Sequence, residues 1–200
     1  MLDQLKKEIT IDKLINDEHK IAIDQESSDF ISYPEFLQYF EKVDTLTIHD
    51  LIIGINFTYG WMPTIFNFKS NQMDEALVIL NSAKKGIRPT ETELEILKKC
   101  FNNSLVGTSK LLHFINPLRF SIWDSRIYRY LKNETPHKYR LEKAKLYIEF
   151  LTFCDFIIEQ PEYDKIHYSI EQKVGYNMTK YRTIDLLMYL NGGNENSRKL

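Results

Sequence analysis

The chain has 200 residues, 27% of them charged, and a formal net charge of -2 at pH 7. This length can bury a sizeable core without disulfides or a structural metal ion. The two cysteines, Cys100 and Cys154, cannot supply the four thiolates of an iron–sulfur cluster, so we expect no bound metal. The chain shows neither a secretion signal nor a long apolar segment, and we expect a cytoplasmic protein with free thiols that does not enter a membrane.

Helical spacing of apolar residues dominates the chain, and the alternation typical of strands is nearly absent. We therefore predict an all-α fold, with one helical domain over residues 1–190 whose lobes cannot be separated and a disordered tail at 191–200. The one composition shift lies near residues 24–32. The predicted helices span residues 2–16, 47–58, 74–83, 93–103, 109–115, 125–131, 141–158, 163–174 and 183–190.

Local signals fix some of these helix ends. Thr90 and Glu93 form the pattern of a capping box, and Asp124 is suited to cap the helix that follows it. Asn116 and Pro117 end the helix before them. Residues 59–63, which follow an apolar helix, are predicted to form a loop.

Charge is distributed unevenly along the chain. Residues 1–50 hold twelve acids and five lysines, whereas residues 110–145 hold nine bases and three acids. The basic segment fits a surface that binds an anion such as a nucleic acid, and it also fits a solvated helical face.

A helix-hairpin-helix pattern spans residues 91–116. We predict a tight turn from Ser104 to Thr108 around Gly107, with the second helix beginning at Ser109. Backbone amides at the start of such a helix can hold a DNA phosphate without reading sequence, and Gly107 would permit close approach. A simple αα-hairpin gives the same pattern.

The segment VGTSKLLHFINPLRFSIWDSRI resembles the helix-hairpin-helix DNA glycosylase superfamily, which includes 8-oxoguanine DNA glycosylases and endonuclease III. Upstream, HDLIIGINFTYGWMPT is similar to the apolar helix that leads into the family's base-binding cleft. The resemblance covers residues 49–130, although the hairpin has one glycine where the family usually has two. It implies a nucleophile at Lys110, one residue later than the family register, and a catalytic carboxylate at Asp124.

The resemblance also implies a chemistry. Cleavage of an N-glycosidic bond places positive charge on the deoxyribose, and Asp124 could either stabilise this charge or orient a water molecule. Attack by Lys110 requires its neutral amine, which burial would favour. The alternatives are that Asp124 is only a helix cap and that Lys110 faces solvent.

Further residues are candidates for holding DNA. We expect contacts to the DNA backbone from Val106, Gly107, Thr108, Ser109 and Arg126. A pocket or wedge for the extruded base is expected from Tyr59, Trp61, His113 and Trp123. Trp61 equally fits a core anchor, Trp123 a brace for its loop, and His113 a buried structural histidine.

The sequence thus predicts a monomeric, cofactor-free DNA N-glycosylase that acts on double-stranded DNA containing a modified or damaged base. Such an enzyme would serve DNA repair or antiviral defence against phage with modified DNA. One alternative is a noncatalytic helix-hairpin-helix module that binds DNA, and another is an all-α interaction protein with an accidental motif.

Overall fold

The structure is a computed structural model that describes residues 2–61 and 72–193. These residues form twelve helices and no strand, which confirms the all-α prediction for the described part of the chain. In the same residues, no helix has the length and apolar character needed to cross a membrane. The helices are α1 (Leu2–Glu8), α2 (Ile11–Glu18), α3 (Ser28–Glu41), α4 (Ile48–Trp61), α5 (Met73–Lys84), α6 (Glu91–Lys99), α7 (Leu105–Ile115), α8 (Ser125–Lys132), α9 (Lys138–Leu141), α10 (Ala144–Ile158), α11 (Tyr163–Val174) and α12 (Lys180–Asn191).

The chain divides into two compact units. The central unit is Glu26–Phe120, and the terminal unit combines Met1–Gln25 with Ser121–Leu200. The first crossing between units lies within the composition shift near residues 24–32. The second lies in the loop between α7 and α8, and the sequence carries no sign of it.

Helix α7 is the centre of the central unit, where it packs against α3, α4, α5 and α6. Nine of its 11 residues are buried, because apolar and small side chains surround most of its axis. Its partly exposed positions are Val106 and Lys110. The unit is therefore built around the helix that carries the predicted hairpin residues.

Helix α12 has the corresponding place in the terminal unit. It packs against α2, α8, α10 and α11, while α1 packs against α10. Two charged residues of α12, Arg182 and Asp185, are buried. Buried charges require partners, and these two residues form an ion pair.

Several predicted helix ends are confirmed. Helix α11 matches its predicted range, α5 extends one residue further at each end, and α8 follows directly after its cap, Asp124. Thr90 and Glu93 form both hydrogen bonds of the capping box ahead of α6. These elements were predictable because a local side-chain signal and apolar periodicity coincide in them.

Three predictions of local structure were wrong or incomplete. Residues 2–16 form two helices rather than one, because the Thr10 side chain accepts a hydrogen bond from the Lys13 amide and starts α2. Helix α3 was not predicted, since Pro34 lies inside it. The expected disordered tail at 191–200 begins with Asn191, which instead ends α12, and residues 194–200 lie outside the described part.

Candidate functional site

The turn between α6 and α7 lies four residues earlier than predicted. Asn102 and Asn103 have left-handed backbone conformations, with φ of 55° and 59°. Asparagine tolerates this region better than most residues, so the Asn-Asn pair is the signal for the turn. Ser104 then caps α7, and its Oγ accepts a hydrogen bond from the Gly107 amide at 3.2 Å.

Gly107 lies inside the first turn of α7, where it allows close packing on Phe101. A Cβ atom at this position would lie 2.9 Å from Phe101 Cδ1 and 3.4 Å from Phe101 Cβ. The close approach that this glycine permits is therefore to Phe101. This corrects the expectation that its missing side chain admits a DNA phosphate.

The neighbouring candidates for phosphate contact also face inward. Thr108 and Ser109 are 1% and 0% exposed, and their hydroxyls donate to the carbonyls of Ser104 and Val106, each at 2.9 Å. Burial removes both side chains from any surface on which a phosphate could lie. Val106 is half-buried, so it alone of the four hairpin candidates retains appreciable exposure.

Lys110 extends from α7 toward Trp61. Its Nζ lies 5.1 Å from the centroid of the Trp61 ring, within the range of a cation–π interaction. Trp61 is the last residue of α4, so the predicted loop was wrong for residues 59–61. Met62 and Pro63, the rest of that predicted loop, lie outside the described residues. The Trp61 ring also contacts Phe114 edge-on, with ring centroids 5.3 Å apart. Trp61 thus combines partial exposure with a core contact.

Tyr59 packs in the core of the central unit. It is 7% exposed, and its ring stacks on Phe101 with a centroid distance of 5.8 Å. A ring with this exposure offers no face to an extruded base. Tyr59 is therefore corrected from a base contact to a core residue.

His113 is also structural. It is fully buried, with Nδ1 2.6 Å from the Phe120 carbonyl and Nε2 2.7 Å from the Tyr33 hydroxyl. Both ring nitrogens are thus used inside the protein, which corrects the expected place of His113 in a base pocket. Sequence reasoning missed Tyr33 because α3 was not predicted.

Asp124 is half-buried at the start of α8 in the terminal unit. Its Oδ1 accepts a hydrogen bond from the Arg126 amide at 2.9 Å, which confirms its role as a helix cap. The Ser125 hydroxyl approaches the same oxygen at 3.4 Å. Among the described residues, no hydrogen bond reaches Oδ2. The contacts to Oδ1 therefore fix the carboxylate at the start of α8.

The residues beside Asp124 have different roles. Trp123 is 1% exposed, and its Nε1 donates to the Leu141 carbonyl at 3.0 Å. It braces the loop and provides no base pocket, which corrects that assignment. Arg126 is half-buried, with its guanidinium carbon 4.6 Å from the Tyr189 ring centroid.

Lys110 belongs to the central unit and Asp124 to the terminal unit. Within the described ranges, no group of three or more His, Cys, Asp or Glu residues could hold a metal ion. Comparison of the chain with protein-family models, curated proteins and solved structures finds no match. The function must therefore be argued from the residues themselves.

Proposed function

We propose that the protein is a DNA N-glycosylase that extrudes and excises a modified or damaged base from double-stranded DNA. The observation that carries this proposal is the Asp124 carboxylate, whose Oδ1 is fixed by the Arg126 amide while Oδ2 has no hydrogen-bond partner among the described residues. The resemblance of the surrounding segment to helix-hairpin-helix glycosylases supports the same role. Either DNA repair or defence against phage with modified DNA would use this reaction.

Asp124 is proposed to act on the charge that develops as the glycosidic bond breaks. The departing base takes the bonding electrons and a proton from solvent, and the deoxyribose acquires oxocarbenium character. A carboxylate held beforehand at the sugar stabilises that charge without reorganising, and Oδ2 can accept a proton from the attacking water. The products are a free base and an abasic site, and the reaction requires no cofactor.

Lys110 is proposed to act as a charged contact to DNA and not as the nucleophile. Its ammonium lies over the Trp61 ring, an attraction of roughly 0.5–1 kcal/mol at exposed sites that the neutral amine would lose. Nucleophilic attack requires that neutral amine. The observed contact therefore favours hydrolysis by water over Schiff-base chemistry.

The proposal is tested by mass spectrometry of bases released from oxidised cellular DNA and from hypermodified phage DNA. We expect the wild-type protein to release at least one modified base and Asp124→Asn to lose about a hundredfold or more of that rate. Asparagine caps helices as well as aspartate does, so this variant keeps the start of α8. Asp164→Asn, which changes an exposed acid in the first turn of α11, is the matched control and should retain full activity.

The same samples separate the alternatives. Unimpaired base release by Asp124→Asn would overturn the role of Asp124. Borohydride trapping of a covalent Lys110–DNA adduct would overturn the assignment of Lys110 as a charged contact while supporting a glycosylase. Salt-dependent DNA binding by the wild-type protein without release of any base would indicate a noncatalytic DNA-binding module.

A further inference from the structure

A buried ion pair in the terminal unit lies beside the loop that leads to Asp124. Asp185 of α12 is 0% exposed, and its Oδ1 accepts a hydrogen bond from Arg182 Nη1 at 2.5 Å. Its Oδ2 accepts a hydrogen bond from the Ile122 amide at 2.8 Å. Both carboxylate oxygens of Asp185 are therefore used, one by a cation and the other by the backbone two residues before Asp124.

The rest of this loop is fixed in the same way. The Ser121 hydroxyl donates to the Tyr181 carbonyl at 3.0 Å, and the Tyr147 hydroxyl donates to the Ser121 carbonyl at 3.0 Å. The indole of Trp123 donates to the Leu141 carbonyl. Each of the three residues before Asp124 thus has a hydrogen bond to another part of the terminal unit.

Helix α12 also holds the segment after Asp124. Asp185 and Tyr189 are four residues apart and lie on one face of the helix, where Tyr189 contacts the Arg126 guanidinium. Gly192, three residues further on, lies so close to the Arg126 carbonyl oxygen that a Cβ atom would be 1.9 Å from it. One helix therefore contacts the chain both before and after Asp124.

We propose that Asp185, paired with Arg182, is a positioning residue that sets the place of the Asp124 carboxylate. Fixing a backbone amide does not require a buried ion pair, and an uncharged acceptor would avoid the cost of burying two charges. A carboxylate, however, accepts through both of its oxygens, whereas an amide has an acceptor oxygen on one side and a donor NH₂ group on the other. The charge of Asp185 is thus matched to holding Arg182 and Ile122 at the same time. This inference rests on the catalytic role proposed for Asp124.

The test uses Asp185→Asn in the full-length protein. The new amide has nearly the same shape, but its NH₂ group must face either the Ile122 amide or the Arg182 guanidinium, both of which are donors. NMR follows the Ile122 amide and the Arg126 amide, which donates to Asp124 Oδ1. We expect hydrogen exchange at both amides to be accelerated at least tenfold and the single-turnover rate of base release to fall about tenfold to a hundredfold, with little change in DNA affinity.

Asp17→Asn is the matched control. Asp17 is also a buried carboxylate of the terminal unit, with hydrogen bonds from Lys13, Lys20 and Tyr130. Its loss should reduce stability but leave exchange at Ile122 and Arg126 unchanged when the two variants are compared at equal fractions folded. Equal losses of base release in both variants under that condition would overturn the inference.

The NMR readout separates this inference from the proposed function. Unchanged Ile122 and Arg126 amides in folded Asp185→Asn overturn the positioning role whatever the activity. Altered amides in a protein whose wild type releases no base support the contact made by Asp185 but overturn the glycosylase. If Asp185→Asn does not fold, hydrogen exchange at the Ile122 amide of the wild-type protein tests the inference. Exchange as fast as in an unprotected loop would overturn it. Arg182→Lys, which keeps the charge, should show a smaller acceleration than Asp185→Asn.

Discussion

The Tyr33 hydroxyl and His113 Nε2 form a hydrogen bond inside the central unit, with 2.7 Å between the two atoms. At the other ring nitrogen, Nδ1 donates to the Phe120 carbonyl 2.6 Å away, because a carbonyl oxygen can only accept. His113 therefore joins α3 to α7 and to the end of the loop after α7 through both of its ring nitrogens. This relationship gives the histidine a structural role in full.

Replacing Tyr33 with Phe should destabilise the protein. The change keeps the ring but removes the hydroxyl that forms a hydrogen bond with Nε2 of a fully buried histidine, at a cost of about 1–3 kcal/mol in the free energy of unfolding. Urea unfolding measures the difference. Tyr168→Phe removes a hydroxyl from a side chain that is 64% exposed and should change stability by less than about 0.5 kcal/mol. Equal stability of Tyr33→Phe and the wild type would contradict the assigned hydrogen bond.

Gly107→Ala tests whether this glycine is needed for packing. Alanine favours a helix by about 1 kcal/mol over glycine, but the new Cβ would lie 2.9 Å from Phe101, and overpacking costs about 1–3 kcal/mol. We expect net destabilisation by thermal or urea unfolding. Gly60→Ala, in α4 with no described atom within 4 Å of the new Cβ, should be neutral or stabilising by up to about 1 kcal/mol. A more stable Gly107→Ala protein would show that the Phe101 side chain can move away from the new Cβ atom without a loss of stability.

The fold was predictable where local chemistry decided it. The Thr90–Glu93 capping box and the Asp124 cap depend on residues within three positions of each other, so the sequence alone specifies them. Helix α3 contains Pro34, and packing against α4 and α7 holds it in place. Such tertiary contacts override local preference, and a single sequence does not display them.

The candidate site was predictable to a smaller extent. The roles of Asp124 and Lys110 come from the resemblance and stay predictions, whereas Tyr59, His113 and Trp123 were misassigned because residue type does not distinguish a buried aromatic ring from an exposed one. Asp185 was missed, although a lone acid in the apolar segment from Ile184 to Met188 was a possible signal. Its partner Ile122 lies 63 residues away, and only the fold brings them together.

Lys110→Gln should weaken binding to double-stranded DNA. If the ammonium contacts a phosphate, its removal lowers affinity at low salt and reduces the slope of log K against log salt by about 1. Fluorescence anisotropy of labelled DNA at several salt concentrations measures both. Lys85→Gln removes an exposed lysine of the same unit that follows α5 and serves as the control. An unchanged salt slope in Lys110→Gln would contradict the contact proposed between Lys110 and DNA.

The terminal unit should lose stability in acid through α2. Burial alone would raise the pKa of Asp17, but hydrogen bonds from Lys13, Lys20 and Tyr130 outweigh it and lower the pKa below the ordinary 3.8. Burial likewise opposes the effect of Lys173 and Ser169 on Glu18, whose pKa is lowered below 4.5. The folded state binds protons at these two carboxyls less tightly than the unfolded state does. The two carboxylates therefore stabilise the fold fully above their ordinary pKa values, and this stabilisation is lost as pH falls through their lowered pKa values.

The two tryptophans allow this loss to be assigned to one unit, since Trp61 lies in the central unit and Trp123 in the terminal unit. In a Trp61→Phe background, Trp123 fluorescence should show a urea midpoint that falls between pH 5 and pH 3. Adding Asp17→Asn should lower the midpoint at pH 7 and flatten its dependence on pH, because the group that releases its proton on folding is gone. Asp12→Asn, an exposed position of the same helix, should keep the parent's dependence. If Asp17→Asn keeps the parent's dependence on pH as well, the ion pairs of Asp17 with Lys13 and Lys20 do not contribute to stability. Screening by solvent would explain that result, because both lysines are partly exposed.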